Sequence, residues 1–421
     1  MHTRLYALLV AFAIGRCDRN TTRTIRVFEN RTRNAGRQID VRVVVLHALG
    51  RPVAPDPIVV FTGGPGLSTT EDTRYWARVT ARLRPHRDVI LVDQRGTGGS
   101  APLSCNLFET GRLQPYFDPV YPVDRVRECR LMLERRADLT RYATDDGVDD
   151  MAQVLDSLGV ERADLFGISY GSHAALTFLR RHPDRVRTVV ISAIWPPERT
   201  PFAAPEVIAR ALAASDTGHV VDSAMARLRH APVTVSLWNW AHLRRESVTI
   251  TASGFAERIF TILYTPSRIR RVIPLVRQGL AGDWTPFAKA ALVDSRSRRA
   301  GRYWGMTFSV MCTESASRLA RVDTARLASA SPIGLPVIGG LLAACAEWPH
   351  GALAPDDTLP VASATPVLLL EDGLDPATPP EWSDSAAAHL PNSQRDLNPT
   401  GGHAFMTDER MARVASFIDA Q

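Results

Sequence analysis

Short, strongly apolar segments recur along the chain of 421 residues, and most of them are followed by glycine, proline or an acidic residue. The first, IDVRVVVLHA from Ile39 to Ala48, alternates apolar and polar positions, which predicts a strand. The later segments are apolar almost throughout, as strands are when both faces of a mainly parallel sheet are buried. These further predicted strands are Pro57–Phe61, Asp88–Val92, Asp164–Phe166, Val186–Ser192 and Thr365–Leu370.

Segments with helical periodicity lie between these strands. In Asp145–Leu158 the apolar residues recur every three or four positions, and Ser172–Arg181 and Arg410–Ala420 have the same character. Alternation of strands and helices predicts an α/β fold, with a mainly parallel central sheet and helices on both faces.

The pattern changes between Pro196 and about Gly301, where no strand like those of the sheet is predicted. This segment is rich in alanine, arginine and aliphatic residues, and we interpret it as a helical cap inserted into the α/β core. The chain then divides into a first core part (residues 18–195), the cap (196–301) and a second core part (302–421). Helices are predicted in the cap at Pro205–Ala214, Gly254–Tyr264 and Pro266–Leu280.

The N-terminal residues 1–17 resemble a short secretory signal. Two side chains that can carry positive charge, His2 and Arg4, precede an apolar run, and Ala11 and Ala13 form an A-x-A pattern like that before a signal-peptidase site. The run is shorter than the roughly 20 apolar residues that cross a bilayer. We therefore expect an extracytoplasmic protein without stable membrane insertion; the alternative is a buried N-terminal strand or helix.

Charge adds little to this picture. The chain carries 50 basic and 44 acidic residues, for a formal net charge of +6, and Lys289 is its one lysine. The arginines are interleaved with acidic residues rather than gathered into a stripe with aromatic residues, which indicates a mixed-charge surface and no nucleic-acid partner. No H-E-x-x-H motif or comparable ligand cluster is present, so we expect neither a metal nor a cofactor.

The motif that points most directly to chemistry is Gly167-Ile-Ser169-Tyr-Gly171. It follows an apolar strand and opens a helical segment, which is the context of a nucleophile elbow. A serine on such a tight turn exposes its hydroxyl to a cleft, and the helix that begins there directs its amide groups at developing negative charge. We predict Ser169 as a nucleophile; the alternative is a structural turn that contains a serine.

A serine nucleophile needs a base that is held by an acid, and in this chain order the acid precedes the histidine. Glu371, Asp372 and Asp375 all follow the last predicted strand, and spacing does not separate them. For the base we choose His403, which lies on a glycine-rich turn before the C-terminal helix, while His173 is expected to point away from the serine.

The loop after the Pro57–Phe61 strand reads TGGPG, from Thr62 to Gly66. Its glycines allow the backbone to approach an acyl oxygen closely. We expect the backbone N–H groups of Gly64 and Tyr170 to form an oxyanion hole.

Taken together, GGPG, DQRGTGGS from Asp93 to Ser100, the elbow, LDPxTP and GGH resemble the proline iminopeptidase and tripeptidyl aminopeptidase group of α/β-hydrolases, serine peptidase family S33. The resemblance covers about Val43 to the C-terminus and is greatest to the secreted branch with a TAP-like C-terminal region. It implies the α/β-hydrolase fold and selects Asp375 as the acid. It also implies an exported aminopeptidase that acts on peptides; the alternatives are a carboxylesterase acting on small esters and an inactive binding protein.

The same resemblance bears on the five cysteines and on amine binding. It implies disulfides Cys105–Cys129 and Cys312–Cys345, and it leaves Cys17 over. An aminopeptidase also needs a carboxylate that holds the substrate ammonium. We name Glu314 as the candidate; the alternative is an ordinary ion-pair residue.

Overall fold

The computed structural model describes residues 20–108, 111–201, 205–213, 218–299, 301–326, 331, 333–404 and 406–421. The proposed signal segment and Cys17 lie outside these residues. In the described parts of the chain, no helix has the length and apolar character needed to cross a membrane. The strands are β1 (Asn20–Phe28), β2 (Gln38–Leu46), β3 (Ile58–Phe61), β4 (Val89–Val92), β5 (Ala163–Ile168), β6 (Val186–Ser192), β7 (Val233–Asn239), β8 (Arg244–Ile250), β9 (Val367–Asp372) and β10 (Ser393–Asn398).

Helices occupy most of the connections between strands. Those predicted from periodicity are found within a few residues of their expected ends, and the helix at Pro266–Leu280 has its predicted bounds. The α-helices are α1 (Thr73–Val79), α2 (Val123–Leu133), α3 (Thr144–Leu158), α4 (Tyr170–Arg181), α5 (Pro205–Ala213), α6 (Gly218–His230), α7 (Ala252–Leu263), α8 (Pro266–Leu280), α9 (Thr285–Arg299), α10 (Trp304–Glu314), α11 (Ala316–Leu319), α12 (Gly334–Cys345), α13 (Pro380–Ala387) and α14 (Asp408–Asp419).

Eight strands form one sheet in the order β1-β2-β4-β3-β5-β6-β9-β10. β1 and β2 are antiparallel to each other, β2 is antiparallel to β4, and every later pair is parallel. Alternate residues of the central strands contribute to two separate apolar clusters, one on each face: Val59 lies in one cluster and Val60 in the other. Burial on both faces is why these strands read as continuous apolar runs, and the predicted architecture is confirmed.

The inserted region, which we call the cap, consists of α5–α9 and an antiparallel hairpin of β7 and β8. The hairpin was not predicted: its strands alternate apolar and polar residues, as β2 does, but neither resembles the unbroken apolar runs of the central strands. The cap has its own apolar core, which also takes in Leu113 and Phe117 before α2 and Ile333 and Val337 near α12. The cap is therefore fastened to the α/β core by segments that lie outside it in sequence.

Candidate active site

Ser169 occupies the sharp turn between β5 and α4. Its backbone angles are φ +57° and ψ −123°, a strained conformation for a residue with a side chain. Its backbone N–H donates a hydrogen bond to the carbonyl of Ser192 at 2.9 Å. The turn brings α4 so close to β3 that a Cβ on Gly171 would collide with the carbonyl of Phe61. The glycine after the serine is thus required by the contact that holds the elbow against the sheet.

The imidazole of His403 connects Ser169 to a buried carboxylate. Its Nε2 lies 2.9 Å from the Ser169 hydroxyl oxygen, and its Nδ1 lies 2.8 Å from Oδ2 of Asp375. The histidine is also held from the cap side. Its backbone N–H donates to the carbonyl of Tyr264 at 2.9 Å, and the centroids of the two side-chain rings lie 4.6 Å apart. This arrangement can transfer a proton from the serine to the imidazole.

Asp375 is fixed by its own loop. Its Oδ1 accepts from the N–H groups of Ala377 at 2.8 Å and Thr378 at 3.0 Å, and its Oδ2 accepts from the Thr378 hydroxyl at 2.7 Å. The carboxylate is completely buried. Four donors, counting the imidazole, leave it little freedom to rotate.

The two other candidate acids are engaged elsewhere. Asp372 forms a buried ion pair with Arg410 at 3.0 Å, and Glu371 pairs with Arg395. Both carboxylates are on the last two residues of β9, just before the loop that carries Asp375. Their cationic partners come from more than twenty residues further along the chain, and His403 pairs with Asp375 instead.

The loop that follows β3 lies next to the serine. A Cβ built on Gly63 would lie 3.3 Å from the Cβ of Ser169, and Gly64 has φ +127°, which favours glycine. Tyr170 is the first residue of α4, so its amide has no acceptor within the helix. The structure thus puts both predicted oxyanion donors beside Ser169.

Asp93 stabilises this loop from behind. It is buried, its Oδ1 accepts from the N–H groups of Thr69 and Thr70 at 2.9 Å each, and its Oδ2 accepts from Gly99 at 2.8 Å. The aspartate of the DQRG segment therefore ties the loop after β4 to the segment that continues from GGPG.

A cleft of about 560 Å³ opens at Ser169 and His403, between the α/β core and the cap. Most of its wall is apolar or aromatic, but Glu257 and Arg258 of α7 also line it, and both are buried. Glu257 accepts from the N–H of Val120 at 2.8 Å, and Arg258 donates to the carbonyl of Asp118 at 2.7 Å. Aromatic residues of the wall are Tyr75, Trp76, Tyr121, Phe260, Tyr264 and Trp304.

Sequence reasoning missed Glu257. Two adjacent charges interrupt the otherwise apolar α7, and a buried charge on an apolar helix is the signal that could have identified it. Burial raises the pKa of the neighbouring Tyr121 hydroxyl to about 12. The positive charge of Arg302 lowers this pKa and the negative charge of Glu257 raises it, and the phenol is neutral at physiological pH.

Glu314, predicted to bind the substrate ammonium, is not among the residues that line this cleft. Its carboxylate is buried behind the elbow, where it accepts from the N–H of Thr144 at 2.7 Å and lies 3.1 Å from Nε2 of His173. The Thr144 hydroxyl in turn lies 2.9 Å from that of Tyr170. Glu314 therefore joins α10 to α3 and to α4, the helix that begins at the elbow, and His173 faces Glu314 rather than the serine.

Both predicted disulfides are present. Cys105–Cys129 joins the loop after β4 to α2, and Cys312–Cys345 joins α10 to α12. The second bridge ties the segment behind the elbow to the part of the chain that completes the cap core.

Comparison with known proteins agrees with this architecture. Residues 56–220 match the family described as alpha/beta hydrolase fold, and residues 334–419 match the family described as TAP-like protein. A crystal structure of proline iminopeptidase from Mycobacterium smegmatis aligns with 95% of this chain and 98% of its own, at 18% identity and a TM-score of 0.44.

Among curated proteins, tripeptidyl aminopeptidase from Streptomyces lividans is 28% identical over 181 residues, which are 39% of this chain and 33% of that protein. Proline iminopeptidase from Xylella fastidiosa is 27% identical over 139 residues, 33% of this chain and 32% of that protein. The matched part of this chain thus spans about a third of the length of each relative. The chain belongs to the α/β hydrolases that carry a TAP-like C-terminal region, and it is distantly related to tripeptidyl aminopeptidase and proline iminopeptidase.

Proposed function

We propose that this hydrolase is a serine hydrolase in which Ser169 is the nucleophile, His403 the general base and Asp375 the orienting acid. The observation that carries the proposal is the line of hydrogen bonds from the serine hydroxyl through the imidazole to the buried carboxylate, at 2.9 and 2.8 Å. The line ends at the mouth of a cleft, so a substrate carbonyl can reach the hydroxyl.

In the proposed reaction the Ser169 hydroxyl attacks the substrate carbonyl as its proton passes to Nε2 of His403. The N–H groups of Gly64 and Tyr170 stabilise the resulting oxyanion, each by about 3 kcal/mol. The imidazolium then protonates the leaving group, and an acyl-enzyme remains. Water, activated by the same imidazole, releases the acid and restores the serine.

We further propose an aminopeptidase that releases short N-terminal peptides or single residues. The support is Glu257, a buried carboxylate in the wall of the same cleft, where it replaces Glu314 as the candidate for ammonium binding. A carboxylate has about four acceptor positions; at Glu257 the N–H of Val120 donates to Oε2 at 2.8 Å, and the guanidinium of Arg258 lies 3.4 Å from the same oxygen. A substrate ammonium bound there would be held in a largely apolar site, where charge-assisted hydrogen bonds are worth more than in water.

The two disulfides support an extracytoplasmic location, because such bridges persist in oxidising compartments. We propose that residues 1–17 direct export and that residues 196–301 form the cap over the active site.

A panel of chromogenic substrates tests the reaction class: aminoacyl, dipeptidyl and tripeptidyl compounds, their N-acetylated forms and a short-chain ester, with Ser169→Ala as the control. We expect cleavage of one or more free-amine peptide substrates. Turnover of the ester alone would identify a carboxylesterase and refute the peptidase proposal. Binding without any turnover would indicate an inactive hydrolase-like protein.

The role of Glu257 is tested by Glu257→Gln. Loss of a hydrogen bond to a charged group, about 1.5–3 kcal/mol, should raise KM for free-amine peptides about 10- to 150-fold and leave ester hydrolysis unchanged. Glu246→Gln is the matched control, since this cap glutamate also accepts partly buried hydrogen bonds but lies outside the cleft. Equal effects of Glu257→Gln on peptide and ester would exclude Glu257 as the ammonium site.

A further inference from the structure

The β7–β8 hairpin of the cap has an apolar end that contributes nothing to the cap core. Its inward residues, such as Leu237 and Val248, are buried in that core. At the far end, Trp238, Trp240 and Leu243 expose 44%, 75% and 70% of their surface, respectively. Single exposed apolar residues are common, but three large ones at one turn are typical of a surface that binds a protein or a membrane.

The turn itself presents these side chains. The two indole rings contact each other edge to face, with centroids 5.9 Å apart, and Leu243 has φ +49° where the chain reverses into β8. Trp238 is paired in register with Arg245, so an aromatic and a cationic side chain lie opposite each other on the outer face of the hairpin. The exposed apolar side chains therefore project from the end of the hairpin, and they do not form a groove that could enclose a ligand.

Cations accompany these apolar side chains. Arg244 and Arg245 are exposed, and neither forms an ion pair within the described parts of the chain; a nitrogen of Arg245 reaches only the carbonyl of Ser236, at 3.3 Å. The adjacent acid, Glu246, turns inward, where the amide nitrogen of Asn239 donates to it at 2.8 Å. Among the residues that the structure describes at this end, the exposed charge is consequently positive.

We propose that this hairpin tip (Trp238, Trp240, Leu243, Arg244 and Arg245) docks reversibly on an anionic lipid surface. Tryptophan favours the headgroup region of a bilayer, because its ring is apolar while its N–H can be hydrated or hydrogen-bonded. Leucine adds apolar area that can enter the acyl boundary, and the two guanidinium groups can bind lipid phosphates in bidentate fashion. Projecting apolar side chains surrounded by cations complement an acidic membrane in both shape and charge.

Such docking is peripheral, because three apolar side chains insert only to the level of the headgroups. It is also independent of the proposed hydrolytic reaction, since none of the five residues lines the cleft at Ser169. Membrane binding and hydrolysis of a small substrate can therefore be measured separately on the same full-length protein.

The experiment is co-sedimentation with vesicles of phosphatidylglycerol and phosphatidylcholine, against vesicles of phosphatidylcholine alone, at several salt concentrations. We expect binding to the acidic vesicles only, weakening as salt rises. Trp240→Ser combined with Leu243→Ser should reduce the affinity at least tenfold at constant salt. Arg244→Glu combined with Arg245→Glu should abolish binding to the acidic vesicles.

Matched controls come from the cap itself. Val293 is also 70% exposed, so Val293→Ser removes a similar exposed apolar side chain, and Arg270→Glu with Arg271→Glu reverses another exposed pair of charges. Neither control should change vesicle binding, and all variants should hydrolyse a small substrate as the wild type does. No binding of the wild-type protein to acidic vesicles, or equal losses in tip and control variants, would overturn the proposal. Tip variants that instead abolish self-association in the absence of lipid would assign the surface to a second copy of the chain and would equally overturn it.

Discussion

Replacing Asp375 by asparagine is the sharpest test of the proposed catalytic arrangement, because the structure determines how the new amide would be oriented. Oδ1 of the aspartate accepts from two backbone N–H groups, those of Ala377 and Thr378, whereas Nδ1 of His403 lies closer to Oδ2. An amide nitrogen in the Oδ1 position would face two donors. The loss of both hydrogen bonds would cost about 2–6 kcal/mol, at 1–3 kcal/mol for each unsatisfied group.

The asparagine oxygen should therefore take the Oδ1 position, and its nitrogen should face Nδ1 of His403. A donor at that place stabilises the tautomer with the proton on Nε2, which cannot accept the proton of Ser169. We expect kcat to fall about 10⁴-fold, equivalent to about 5 kcal/mol of transition-state stabilisation, with little change in KM. The two residues have nearly the same shape, so the fold should be retained.

The assay is the steady-state hydrolysis of the best substrate in the panel, with unfolding in urea measured in parallel. Glu371→Gln and Asp372→Asn are the controls, since sequence spacing alone made all three acids equivalent. Glu371→Gln should retain activity. Asp372→Asn should lose stability, by about 3–5 kcal/mol, because Arg410 would remain buried without its partner carboxylate. A kcat within tenfold of wild type for Asp375→Asn would refute the reasoning.

Three other predictions follow from the same structure. Ser169→Ala should lower kcat about a million-fold and abolish covalent labelling by a fluorophosphonate, which mass spectrometry detects; labelling of the variant would exclude this serine. Reduction should release both disulfides, and replacing Cys312 and Cys345 by serine should lower the free energy of unfolding by about 3–4 kcal/mol for a loop of 33 residues, measured in urea. Burial and the charge of Asp357 raise the pKa of Asp145, although Arg181 lies 3.0 Å away and lowers it, so the stability associated with the protonated form is present at acidic pH and is lost as the pH rises toward neutrality. Asp145→Asn should accordingly gain stability relative to wild type between pH 4 and 8, by about 2 kcal/mol after allowance for solvent screening, and a constant difference across that range would contradict this.

Much of the fold could be predicted because its signals are local. The strands of the parallel sheet are buried on both faces, so each one reads as an apolar run whatever its neighbours are. The β7–β8 hairpin has one buried face, so its strands lack such a run, and the alternation that they share with β2 was missed. β1 was also missed; its alternate residues are mostly exposed, so it lacks an apolar run.

The active site likewise has parts that local sequence predicts and parts that it does not. The sequence by itself determined the elbow, since the strained turn, its glycines and its flanking strand and helix are contiguous, and it determined the glycine-rich loop that lies beside Ser169. The family resemblance selected Asp375, but residue spacing could not, because the ion pairs that occupy Glu371 and Asp372 come from residues elsewhere in the chain.

Only the tertiary structure decided what each buried charge does. Glu314 and Glu257 both lie on apolar helices, so the local signal that marks one of them marks the other equally. The fold directs Glu314 toward Thr144 and His173 and places Glu257 in the wall of the cleft. The physical reason is that a buried carboxylate takes its role from its surroundings, and the backbone N–H groups that bind these two lie 137 and 170 residues away in the chain.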